Sequence, residues 1–145
     1  MMRLAYCLAL FLTTTSTASA QELRAVPDSE PMPEAVSASV EATMNPDEAL
    51  NGIRRWEGNI IGDATPDYLV EASFSPVGGN AFYPRHWIFI ASPDRFESFF
   101  PIELPGSIIS AAVEGNALVI TVSTYLDNDP RCCPSGTEVV RMPLN

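Results

Sequence analysis

Ala117-Leu118-Val119-Ile120-Thr121-Val122-Ser123-Thr124-Tyr125, then Leu126-Asp127-Asn128-Asp129-Pro130-Arg131-Cys132-Cys133-Pro134-Ser135-Gly136, then Thr137-Glu138-Val139-Val140-Arg141-Met142: this stretch decides the fold class. Its first segment places Leu118, Ile120, Val122 and Thr124 on one face, while Thr121 and Ser123 make the other more polar. That period-two alternation is the pattern of a strand with one buried side. The middle segment is rich in Asp, Pro and Cys, and the last returns with β-branched residues, so the whole reads as strand, turn and returning strand.

Reading outward, Gly115-Asn116 is a tight hairpin signal that joins the stretch to a strand over 108–114. Pro105-Gly106 and Ser92-Pro93-Asp94 are further turns, bounding strands over 95–104 and 86–91. A loop over 75–85 carries Gly78 and Gly79. Before it, Tyr68, Val70, Ala72 and Phe74 share one face of a strand, and Gly62 to Asp67 turns back to a strand over 53–61. About seven short strands at fairly regular spacing predict an all-β domain over residues 45–145, an antiparallel meander rolled into a sandwich or partial barrel. A short helix precedes them in this reading. Asn45 is its N-cap, Pro46 its first residue, Glu48 stands at the third position, and Gly52 is the stop.

Residues 1–20 have the form of a signal peptide. Arg3 is followed by the apolar run Leu4 to Leu12, and Ala18-Ser19-Ala20 supplies the small residues of a cleavage site before Gln21. The run is far short of the ~20 residues that span a bilayer, so the expected product is a periplasmic or secreted protein with no membrane insertion after cleavage. Residues 21–44 are acidic, rich in Pro, Ser and Ala, and poor in bulky apolar groups, which predicts a disordered tether.

The formal charge is −10, and −11 from residue 21 onward, because residues 1–20 hold Arg3 and no acid. An acidic surface of this size argues against nucleic acid or anionic lipid as a partner. All eight basic residues are arginine. The absence of lysine excludes a Schiff-base lysine and a phosphate-loop lysine.

With Cys7 removed in the signal segment, Cys132 and Cys133 are the remaining cysteines, and they are adjacent. A trans peptide holds neighbouring Cα atoms about 3.8 Å apart, below the usual disulfide window of roughly 4.4–6.8 Å. An oxidising compartment favours a vicinal ring all the same. An intermolecular disulfide and free thiols stay open as alternatives.

Asp129-Pro130-Arg131-Cys132-Cys133-Pro134-Ser135-Gly136 resembles a D-P-x-C-C-P-S-G signature of small exported bacterial proteins, including LppP/LprE-like lipoproteins. This chain lacks a lipid-attachment cysteine, so membrane anchoring does not carry over. A second segment, Gly58 to Asp67, resembles the G-D-x-N-G-D-G-x-P-D turn of FG-GAP or VCBS-like hairpins. Together these resemblances cover two turns and imply an exported β domain without implying a reaction.

In the FG-GAP turn, calcium sits on oxygen side chains at places held here by Asn59, Ile61, Asp63 and Asp67. Ile61 offers no ligand, and calcium takes about six to eight oxygens. Asn59, Asp63 and Asp67 are therefore weak metal candidates, and turn bonds to the backbone are the competing role. His86 is the single histidine, and with Phe82, Tyr83 and Trp87 it forms the candidate binding surface beside the glycine loop. The expectation is a non-enzymatic binding or envelope-associated module without a cofactor, its partner an unknown protein or small molecule. A redox-responsive module acting through Cys132 and Cys133 and a hydrolase using His86 are the alternatives.

Overall fold

The computed structural model describes residues 19–63, 65–92 and 95–144. The expected signal segment lies outside the described residues except for its last two positions. Among the described residues, nine strands and one helix follow in order: β1 (Gln21–Glu22), β2 (Arg24–Ala25), α1 (Glu34–Glu41), β3 (Glu48–Gly58), β4 (Asp67–Pro76), β5 (Tyr83–Ser92), β6 (Arg95–Ile102), β7 (Ile108–Glu114), β8 (Ala117–Thr124) and β9 (Gly136–Pro143). They form two antiparallel sheets, ordered β1-β7-β8-β9 and β2-β3-β4-β5-β6. The seven long strands are two meanders, β3 to β6 and β7 to β9, and the connection through Pro105-Gly106 carries the chain from one sheet to the other.

The inner faces of the sheets meet in an apolar layer. Trp56, Leu69, Ile88 and Ile90 come from the five-stranded sheet, and Ile108, Leu118, Ile120 and Val122 from its partner. The alternation in the opening stretch therefore has its expected cause, with Leu118, Ile120 and Val122 fully buried against the opposite sheet. Gly115 turns the β7–β8 hairpin at φ +62, a left-handed conformation that glycine adopts without a Cβ penalty.

The outer face of the five-stranded sheet is equally apolar, and it is α1 that covers it. Val36 and Val40, one helical turn apart, are fully buried against a layer of Val70, Ala72, Phe74, Trp87 and Phe89. Each valine stabilises the docked helix by roughly 1.5–3 kcal/mol. This corrects the expectation of a disordered tether over 21–44. The segment holds few bulky residues, but the sheet it meets is rich in aromatic surface, so two well-placed valines suffice.

The expected helix over 45–52 is likewise replaced. Glu48 N–H bonds the Asn45 carbonyl in a turn, and β3 starts at Glu48. The capping pattern survives in part, since the Asn45 N–H donates to the Glu48 carboxylate at 2.9 Å. Pairing of Glu48 to Leu50 with Phe74 to Pro76 overrides the local helix signal. Tyr83 and Arg85 also donate to Glu48, and these bonds, led by the Asn45 N–H, lower its carboxyl to about 2.

The first residues of the described chain stitch the sheets together. Gln21 and Glu22 pair with Val113 and Ala112, whereas Arg24 and Ala25 pair with Glu57 and Trp56. Leu23 between them is buried in the inter-sheet core, and its N–H donates to the Ala111 carbonyl at 2.8 Å.

Candidate functional site

The Asp-Pro-Arg-Cys-Cys-Pro-Ser-Gly turn closes on itself. Asp129 accepts the Leu126 N–H at 2.8 Å and both the N–H and the hydroxyl of Ser135, at 2.7 and 2.6 Å. Those donors hold its carboxyl below the ordinary range. Inside this clasp, Cys133 N–H bonds the Pro130 carbonyl at 2.9 Å, and the Tyr125 hydroxyl donates to the Arg131 carbonyl at 2.6 Å. Gly136 passes so close to Thr124 that a Cβ there would stand 2.8 Å from its hydroxyl. The cysteines form an intrachain disulfide across a trans peptide, with Cα atoms 3.8 Å apart. Both are exposed. Asp129, Ser135 and Gly136 thus shape the turn, and the ring sits at its surface.

Across the same end of the sandwich lies a buried ionic group. Glu71 of β4 points into the inter-sheet layer and is partnered in the ladder by His86 of β5. Its Oε1 receives the Arg54 guanidinium through two nitrogens, and its Oε2 receives the Ile108 N–H at 2.6 Å and stands 3.2 Å from His86 Nε2. Burial pushes the Glu71 carboxyl up, but the bonds from His86, Arg54 and Ile108 outweigh it and hold the group below the usual range. The Ile108 bond ties β7 of the four-stranded sheet to β4, the middle strand of the five-stranded one. All the ordinary acceptor positions of this carboxylate are in use.

Between the turn and the Glu71 group runs a cleft of about 360 Å³. Cys132 and Pro134 form one wall, Phe82 and Tyr125 stand at its sides, and Glu71 lies in its lining. Phe82 is 67% exposed and Tyr125 59%. Serines 73, 107 and 123 supply hydroxyls along it. Pro84, Leu104 and the Pro105-Gly106 crossover also bound it, and Gly106 is pressed onto the Ser123 carbonyl so closely that no Cβ fits.

The residues nominated from the sequence separate. Phe82 and Cys132 meet in this cleft. Tyr83 also borders it, but its hydroxyl is given to Glu48 at 2.7 Å. Trp87 points the other way, buried edge-on to Phe74 and stacked on Phe99 beneath the helix layer. His86 is 3% exposed and held by Glu71, on the sheet face opposite Trp87. A second, wider groove of about 600 Å³ runs past His86, Trp87 and Phe99 to Glu103.

Asn59, Asp63 and Asp67 turn inward to the backbone. Asp67 is fully buried and accepts the N–H groups of Ile60, Ile61 and Ala91 at 3.0, 3.1 and 3.0 Å. Asn59 accepts from Gly62 N–H and donates to the Asp63 carbonyl, while Asp63 accepts from Thr65 N–H at 2.7 Å. Among the described residues, no group of three or more His, Cys, Asp or Glu is placed to hold a metal. No helix among them is long and apolar enough to cross a membrane.

Sequence reasoning missed Glu71 and Tyr125. Glu71 had a visible signal, an acid inside the apolar run Tyr68 to Phe74, on the face opposite Val70 and Ala72. No known family model, curated protein or solved structure matches the chain.

Proposed function

We propose that the protein is an exported, non-enzymatic binding domain whose ligand seats in the cleft between the disulfide turn and the Phe82 loop. The observation that carries this reading is the convergence there of two exposed aromatic side chains and an exposed cysteine of the disulfide ring, carried on loops of two different sheets. Concave sites in which aromatic surface and convergent polar groups share one lining are where small ligands bind. Export rests on the N-terminal segment, and the resemblance to exported bacterial D-P-x-C-C-P-S-G proteins agrees with it. The hydrolase alternative gains no support from His86, which is buried with its Nε2 committed to Glu71.

The test is fragment screening by heteronuclear NMR. Small cyclic neutral probes are expected to shift the amides of Ser73, Phe82, Ser107, Tyr125 and Cys132 together. Shifts confined to the groove past Trp87 and Phe99, or none at all, would overturn the assignment.

The exposure of both cysteines supports a redox-responsive second reading. A thiolate of an external dithiol would attack the ring, break the sulfur–sulfur bond and leave two cysteine thiols, itself ending as a disulfide. Thiol titration with and without a mild dithiol decides it, because unchanged free thiol removes this reading.

A further inference from the structure

We infer that the cleft takes a neutral carbohydrate, a mono- or disaccharide unit of pyranose rings. This rests on the cleft being the binding site, and it goes further by naming the chemistry of the occupant.

Charge narrows the choice first. Glu71 is the one carboxylate in the lining, and its acceptor positions are taken by Arg54, His86 and the Ile108 N–H. Asp129 behind the turn has three of its four acceptor positions taken by Leu126 and Ser135. A cationic ligand would find no free carboxylate here. An anionic one would meet no arginine in the lining, on a protein of formal charge −10. The site is therefore built for a neutral molecule.

The remaining surface is of two kinds. Phe82, Tyr125 and Cys132 of the disulfide ring provide polarisable, apolar contact area, Ser73 and Ser107 provide hydroxyls able to donate and accept, and Ser123, whose hydroxyl donates to the Ser107 carbonyl at 3.4 Å, offers its oxygen as an acceptor. A pyranose has the same division. One face of its ring is lined with C–H groups that lie against an aromatic plane, and its rim carries hydroxyls that both donate and accept. At about 360 Å³ the cleft is at the small end of the ~300–1,000 Å³ range of ligand pockets, which suits one or two sugar rings. The disulfide and the Asp129–Ser135 clasp add stiffness, so little ordering cost falls on binding.

The experiment is isothermal titration calorimetry of the full exported chain with cellotriose, maltotriose and chitotriose. Choline serves as the cationic comparator and a decaproline peptide as the peptidic one. Saturable binding of at least one of the saccharides is expected. Phe82→Ala and Tyr125→Ala should each weaken it about tenfold, and Phe82→Trp should retain it. Both alanine variants alter exposed side chains, and their circular dichroism should match the parent. The inference is overturned if none of the saccharides binds, or if the alanine variants bind them as well as the parent does. If choline or decaproline binds instead and that binding depends on Phe82 and Tyr125, the carbohydrate falls while the cleft stands. If nothing binds and no fragment shifts the cleft amides, both fall.

Discussion

Asp67 offers the sharpest test of how the FG-GAP-like turn is held. Replacing it with alanine removes three acceptor contacts at once, from Ile60, Ile61 and Ala91. Ile61 has an exposed side chain, so its N–H is free to turn to water, but Ile60 and Ala91 are buried at 2% and 7% exposure. Leaving those two N–H groups unsatisfied costs about 1–3 kcal/mol each, or roughly 2–6 kcal/mol in all. Asp67→Asn keeps one carbonyl oxygen and turns an NH₂ toward either Ala91 N–H or the Ile60–Ile61 pair, so it should cost about 1–3 kcal/mol. A domain of this size loses about 3–6 °C of melting temperature per kcal/mol. Calorimetric melts should therefore rank the parent above Asp67→Asn, and Asp67→Asn above Asp67→Ala, by clear margins. The same melts in calcium and in chelator should coincide for the parent, because the carboxylate is already spent on the backbone. An asparagine variant as stable as the parent would refute the acceptor count. A calcium-dependent rise in melting temperature that vanishes in Asp67→Ala would refute the assignment of the turn as metal-independent.

Further outcomes follow from other residues. Glu71 has a lowered carboxyl pKa in the folded state, so its contribution is complete above the unfolded value of about 4.3 and is lost as pH falls through the folded value. Glu71→Gln should accordingly lower stability by about 1–3 kcal/mol at neutral pH and flatten the acid limb of a denaturant-midpoint profile; a parent-like acid limb would contradict this. Val36→Ala with Val40→Ala removes four buried carbons and should cost about 3 kcal/mol, measured by urea unfolding, whereas no change would restore the disordered tether. The intact mass of the exported protein should match a monomer lighter than the reduced chain by a pair of hydrogens. Serine at both Cys132 and Cys133 should cost no more than about 1 kcal/mol, since closing a minimal loop removes little chain entropy; failure of that variant to fold would mean that the ring sets the register of β8 with β9.

The β7–β8–β9 sheet was legible in the sequence because it has one buried and one exposed face, and Leu118, Ile120 and Val122 announce it. β5 was visible as a dense apolar run, but both its faces are buried. Ile88 and Ile90 lie between the sheets, and Trp87 and Phe89 lie under the helix. Nothing in such a run tells which neighbour covers which side, and the cover proved to be a segment whose composition reads as linker. Glu48 misled for a related reason, since its capping pattern is local whereas the strand pairing that claims it reaches across to Pro76. In the candidate site, Phe82 and Cys132 were legible singly, as an exposed aromatic beside glycines and as a paired cysteine. Their meeting depends on how two meanders stack, and a period along one strand does not encode that.

The stitch at Gln21 to Ala25 bears on the timing of folding. Gln21 finds its partner at Val113, most of the chain away, while Arg24 finds Glu57 much sooner. A chain emerging N-terminus first can build the β3–β6 meander and dock α1 on it while the second sheet is still missing. Its first residues must then wait, with Leu23 uncovered, until β7 has appeared. Closing so long a loop is entropically slow, so the opening residues of the domain are among the last to settle. The half-made molecule presents the inner face of one sheet to its surroundings, which is the interval in which a holding chaperone would have most to cover.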